Sequence, residues 1–192
     1  MANQEEFIEK LKSGNQVAFS QLLDDYQQKV FHTCISFVPN KEDAEDVAQE
    51  VFLEIYKSVS KFKGDSKLST WIYKICTNKC LEFIRKKNAK KRFAFMQRIL
   101  GNEIPIDKTN FFTEFNHPGI QLENKEKSET IFLAINALPE SQRVVFTLAK
   151  IDGKSYQEIV DITGKTLSSV ESIMFRAKKN LQKKLEFFYK NE

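Results

Sequence analysis

The 192-residue sequence holds six glycines, four prolines, one tryptophan and three cysteines. So few turn-formers, set against abundant Leu, Ile, Lys and Glu, exclude a turn-rich all-β chain and favour helix. Three cysteines build no disulfide framework. No apolar run is long enough to span a bilayer, and no secretory hydrophobic segment follows Met1. The expected localisation is therefore cytoplasmic, without direct membrane insertion. No nucleophile–base constellation stands out, which argues against a hydrolase or transferase, and no small-molecule substrate or cofactor is expected.

What the chain does have is charge in blocks. The formal net charge of +4 is modest, but its distribution is uneven. From Lys63 to Arg98 there are eleven Lys/Arg against two Asp/Glu, and from Asn40 to Val59 six acids against two bases. Blocks of opposite sign so close together suggest two surfaces for two partners.

Helical periodicity runs through most of the sequence. A short helix is expected over Glu5 to Lys12, stopped at Gly14. Asn15 can cap a second helix to about Val38, where Pro39 ends it. Asn40 can cap a third, with Val47, Val51, Phe52, Ile55 and Val59 facing inward. After a loop at Phe62 to Ser66, a fourth helix is expected from about Leu68 to near Arg98. The stretch from Leu100 to Ile120 reads as a linker. Pattern resumes near Leu122, and Pro139 suits the first turn of a later helix. The expected fold is all-α: two small helical domains, residues 1–98 and 122–192, joined by a flexible linker over 99–121.

The segment Leu138 to Leu185 has the layout of a helix-turn-helix. An apolar helix precedes Tyr156-Gln157-Glu158-Ile159-Val160, a turn ends at Gly164, and Thr166 can cap a long basic helix by accepting from the amide of Ser169. Val170, Ile173, Met174, Ala177 and Leu181 form one stripe. Ser168, Glu171, Ser172, Phe175, Arg176 and Lys179 form the other. Arg176 suits guanine or phosphate, Glu171 a cytosine amino group and Phe175 a thymine methyl.

The third helix presents Asp43, Asp46 and Glu50 at three- and four-residue spacing, with Gln49 at the edge. Such a stripe suits a basic protein surface rather than DNA. The fourth helix sets Trp71 among Lys67, Lys74, Lys79, Arg85 and Lys86, a mixture suited to opened DNA; Trp71 by itself fits a core position as well. The loop before it offers Gly64, Ser66 and Ser69 at close quarters for a flipped base. Cys76 and Cys80, four apart with His32 nearby in sequence, raise the question of a metal. Their apolar neighbours Ile72, Ile75 and Phe83 argue instead for buried small hydrophobes, so no metal is expected.

DAEDVAQEVFLEIYKSVSKFKGDSKLSTWIYKICTNKCLEFIRKK resembles region 2 of the bacterial sigma-70 family, and LPESQRVVFTLAKIDGKSYQEIVDITGKTLSSVESIMFRAKKNLQKKL resembles its region 4. In that order they resemble an extracytoplasmic-function sigma factor. The resemblance implies a non-catalytic promoter-specificity subunit whose partners are core RNA polymerase (β′ clamp helices and β flap), promoter DNA and an anti-sigma protein. It implies polymerase contact by Asp43, Asp46, Gln49 and Glu50. It implies −10 element contact by Phe62, Lys63, Gly64, Ser66, Lys67, Ser69, Trp71, Asn78, Lys79, Arg85 and Lys86. The −35 reader would be Ser168, Ser169, Glu171, Ser172, Phe175, Arg176 and Lys179. Two departures stand out. Ser168-Ser169-Val170-Glu171-Ser172-Ile173 occupies the place of the family's frequent Gly-Thr-Val-Lys-Ser-Arg. Trp71 is followed by Ile72 where housekeeping members carry a Trp pair. No sensor domain is expected, so regulation would come from outside. The alternatives are a dimeric helix-turn-helix regulator of duplex operators, which leaves the acidic stripe unexplained, and a helical adaptor with incidental DNA binding.

Overall fold

The computed structural model describes residues 2–38, 40–99 and 125–190, and all regular structure among them is helical. The order is α1 (Ala2–Lys12), α2 (Gln16–Phe37), α3 (Lys41–Ser58), a 3-10 turn (Val59–Lys61), α4 (Leu68–Ile99), α5 (Lys125–Asn136), α6 (Glu140–Lys150), α7 (Tyr156–Thr163) and α8 (Leu167–Lys190). Most of the expected linker lies outside the described residues.

Side-chain caps set the helix starts. Asn15 Oδ1 accepts from the Ala18 amide at 3.0 Å, and Asn40 Oδ1 from the Asp43 amide at 2.7 Å. Each satisfies one amide that the first turn leaves without a helical partner. Ser155 and Glu158 form a reciprocal capping box at the start of α7. That helix ends at Gly164, whose φ of 68° places it in the left-handed region where only glycine is unstrained. Pro139 is the N-cap of α6 rather than part of its first turn, and its carbonyl accepts from the Gln142 and Arg143 amides.

In the first half, α2, α3 and α4 pack around Leu22, Ile35, Phe37, Val51, Ile55 and Ile72, all buried. In the second half α8 lies along α5, α6 and α7. Its expected stripe of Val170, Ile173, Met174, Ala177 and Leu181 is buried. Val170, Ile173 and Met174 join Leu148, Ile159 and Ile162, while Ala177 and Leu181 meet Ala134, Ile135 and Leu138.

The two halves are as expected two helical units, but they are not separate bodies. One continuous apolar cluster runs from Leu11 of α1 to Met174 of α8. Helix α7 packs on α4 and α6 on α2. Polar contacts clasp the seam. The Thr33 hydroxyl lies 3.0 Å from Asp152 Oδ1, Lys154 Nζ sits 3.7 Å from the centre of the Tyr73 ring, and Arg85 Nε donates to Glu140 Oε2 at 3.0 Å.

Candidate nucleic-acid interface

Three surfaces carry the residues singled out from sequence. The first is the acidic edge of α3. Asp46, Gln49 and Glu50 are exposed. Asp43 is not equivalent to them: it is half-buried and ion-paired with Lys87 of α4 at 2.5 Å. The expected four-residue stripe thus presents three residues outward, while the fourth ties α3 to α4. Asp46 and Glu50 line a groove of about 250 Å³ with Val47, Lys79, Glu82, Phe83 and Lys86.

The second surface is the loop ahead of α4. It borders a pocket of about 320 Å³ lined by Lys61, Phe62, Lys63, Asp65, Ser66, Thr70, Trp71, Lys74 and Asp161. Phe62 is only 5 % exposed, and its ring centre lies 5.2 Å from that of half-buried Trp71. The two rings form an anchored wall, with Trp71 the more accessible. Lys63, Gly64, Ser66 and Lys67 are exposed, and Ser69 is half-buried in the first turn of α4. Gly64 has a φ of 82°, which keeps this turn open only to glycine without strain. Asp161 was not foreseen. It belongs to α7, in the other half of the chain, and sequence periodicity carries no signal for that juxtaposition. Glu158 of the same helix also feels the charge of Lys67; its carboxyl is held below the usual range chiefly by the Ser155 amide, then by the Ser155 hydroxyl.

Three cations in the middle of α4 are committed to carboxylates of this chain. Lys79 meets Glu54 at 3.2 Å, Lys86 meets Glu82 at 2.6 Å and Arg85 meets Glu140. Asn78 is exposed. The sequence placed Lys79, Arg85 and Lys86 on a free basic face; in this arrangement each already has an intramolecular counter-ion.

The third surface is α8. The Ser169 amide donates to the Thr166 hydroxyl at 3.2 Å, the cap expected there. Ser168, Glu171, Ser172, Arg176 and Lys179 are exposed, and Phe175 is 69 % exposed. Ser169 is half-buried. Arg176 Nε donates to the Ser172 carbonyl at 3.3 Å, which lays the guanidinium along the helix. A cluster with metal-ligand chemistry, Cys34, Cys76 and Cys80, lies apart from all three surfaces in the core; His32 is not among its donors.

The family model for sigma-70 region 2 matches residues 22–90, and that for sigma-70 region 4 matches residues 128–181. The extracytoplasmic-function RNA polymerase sigma-E factor of Escherichia coli is 30% identical over 179 residues, covering 93% of this chain and 92% of that protein. The SigW factor of Bacillus subtilis is 32% identical over 178 residues, covering 93% and 94%. Among solved structures, CnrH in complex with the cytosolic domain of CnrY shares the fold, with a TM-score of 0.68, 20% identity and coverage of 95% of this chain and 97% of that one. The sigma factor RpoE in complex with the anti-sigma factor NepR from Bartonella quintana gives 0.60 and 23%, covering 88% and 96%.

Proposed function

This chain belongs to the extracytoplasmic-function branch of the bacterial sigma-70 family, and from that premise we propose how its residues divide the work of a promoter-specificity subunit. An RNA polymerase sigma factor binds core polymerase and directs it to promoters through −10 and −35 elements. Residues 1–98 form the polymerase- and −10-binding part, 99–121 the linker, and 122–192 the −35-binding part. Asp46, Gln49 and Glu50 dock on the basic clamp helices of β′; Asp43 contributes indirectly, by holding α3 to α4 through Lys87.

The pocket walled by Phe62 and Trp71 takes an unstacked base of the −10 non-template strand, with Lys63, Lys67 and Lys74 toward its phosphates. Ser168, Glu171, Ser172, Phe175, Arg176 and Lys179 enter the −35 major groove. The chain catalyses nothing itself and works in the cytoplasm. No described helix is long and apolar enough to cross a membrane. An anti-sigma protein is its regulatory partner; of the solved structures sharing its fold, one is a complex with the anti-sigma factor NepR and one a complex with the cytosolic domain of CnrY.

The observation that carries this division is the separation of signs on exposed faces: acids outward on α3, and hydroxyls, one acid, an aromatic and cations outward on α8. A dimeric operator-binding regulator is not favoured, because both sigma models match in family order. The test is run-off transcription from a promoter library with core polymerase. Addition of this protein stimulates a defined promoter class; absence of stimulation on every promoter refutes the reading.

A further inference from the structure

Beneath the seam between the two halves, three sulfur atoms converge. Cys34 of α2 places its Sγ 3.6 Å from that of Cys76 and 3.8 Å from that of Cys80, both on α4. All three lie within 4.8 Å of one another, and exposure of the residues is 0 %, 1 % and 0 %. We propose that Cys34, Cys76 and Cys80 form a binding site for a thiophilic divalent cation of the zinc and cadmium class, built into the α2–α4 core and roofed by the α6–α7 turn.

Geometry supports three ligands rather than three packing atoms. A tetrahedral zinc with Zn–S bonds of about 2.3 Å needs sulfurs about 3.8 Å apart. Two edges of the triangle are already near that length, on two helices fixed by their own hydrogen bonds. A disulfide, by contrast, uses two sulfurs and draws them to about 2.05 Å, which strands the third.

One buried cation and one buried carboxylate of the second half stand near the site. Binding proceeds as three thiols plus M²⁺ giving a tris-thiolate complex of net charge −1 and three protons released to solvent. Arg143 of α6 is buried at the seam, and its Nε has no hydrogen-bond partner. Asp152 in the α6–α7 turn holds Thr33, the residue before Cys34, through Oδ1, while its Oδ2 is buried without a partner. Both groups belong to the second half of the chain. The second half of the chain thus covers the site.

The experiment is anaerobic titration of the reduced full chain with Cd²⁺, read by sulfur-to-cadmium charge-transfer absorption and by alkylation of each cysteine mapped by mass spectrometry. The expected result is saturation at one equivalent, alkylation of Cys34, Cys76 and Cys80 slowed together below its rate in the metal-free chain, and displacement by excess Zn²⁺. Cys76→Ser and Cys80→Ala, checked for helicity, abolish the band; where a variant does not fold, the alkylation pattern of the unmodified chain decides. Absence of the band and of protection at one equivalent overturns the proposal. So does a band that persists in a folded variant, or protection of two cysteines that requires peroxide rather than metal.

Discussion

The Thr33 hydroxyl on α2 meets Oδ1 of Asp152, 119 positions away in sequence, at 3.0 Å. This contact makes the compact arrangement of the two halves sensitive to the protonation of one carboxyl. Burial pushes Asp152 up to about 6, opposed by the hydrogen bond with Thr33 and the charge of Lys154, and assisted by Cys34.

The closed form therefore binds a proton more tightly than the open one. Its extra stability is fully present below the solvated carboxyl value of 3.8 and is lost as pH rises through about 6. Small-angle scattering of the free chain is expected to show a larger radius at pH 8 than at pH 5. Asp152→Asn, which keeps an acceptor and removes the charge, holds the small radius at both; a wild-type radius that grows on acidification contradicts this.

Docking on polymerase is expected to depend on the outward acids of α3. Asp46→Lys with Glu50→Lys weakens core binding by at least about tenfold, the equivalent of about 1.4 kcal/mol, with the loss diminishing at high salt. Both side chains are exposed, so thermal unfolding shifts little. Fluorescence anisotropy with core polymerase measures the first effect and calorimetry the second.

On the recognition helix, Phe175→Ala costs roughly 1 kcal/mol at one −35 position and leaves others unchanged. Glu171→Lys strengthens phosphate contact, steepens the salt dependence by about one unit of slope and relaxes base preference. Selection from randomised promoters, repeated at two salt concentrations, separates the outcomes.

If the loop pocket and α4 take −10 DNA as proposed, the seam is expected to withhold part of that contact from the free chain. Glu140→Ala releases Arg85, and Asp161→Asn removes the acid from the base pocket. Together they raise affinity for single-stranded −10 DNA in the absence of polymerase, with the salt slope steeper by about 0.7 for each additional phosphate neutralised. Unchanged binding of that strand by the double variant argues against occlusion.

Core substitutions give the corresponding stability control. Ile72→Ala, at a fully buried position on α4, is expected to destabilise by about 2–5 kcal/mol in urea unfolding.

Local chemistry made much of this fold legible. Asn15, Asn40 and Thr166 announce helix starts because their side chains can reach an amide three residues on, and Gly164 announces a stop. Periodicity identified which residues of α3 and α8 are buried. It is silent on what buries them: Val145 and Ile159 are recognisable as inward-facing, but not as part of the cluster that also holds Leu22 and Ile72. Charge counting overstated the free basic face of α4, since pairs such as Arg85 with Glu140 form between residues 55 apart. It also set Asp43 on one exposed face with Asp46 and Glu50, whereas Asp43 is half-buried beside Lys87. Cys76 and Cys80 were legible as neighbours on one helix; Cys34 joins them only through the packing of α2 on α4.

The paired cations of α4 have a consequence for traffic on the chromosome. A lysine facing water adds freely to any phosphate it encounters, and a row of them would strand the free protein on bulk duplex. Here Lys79, Lys86, Lys87 and Arg85 carry tethered carboxylates. DNA must evict these internal competitors before it reaches the four cations, so this part of α4 is an ion exchanger already loaded with its own eluent. For these four cations random duplex is expected to be a poorer displacer than a strand held in place by a larger complex.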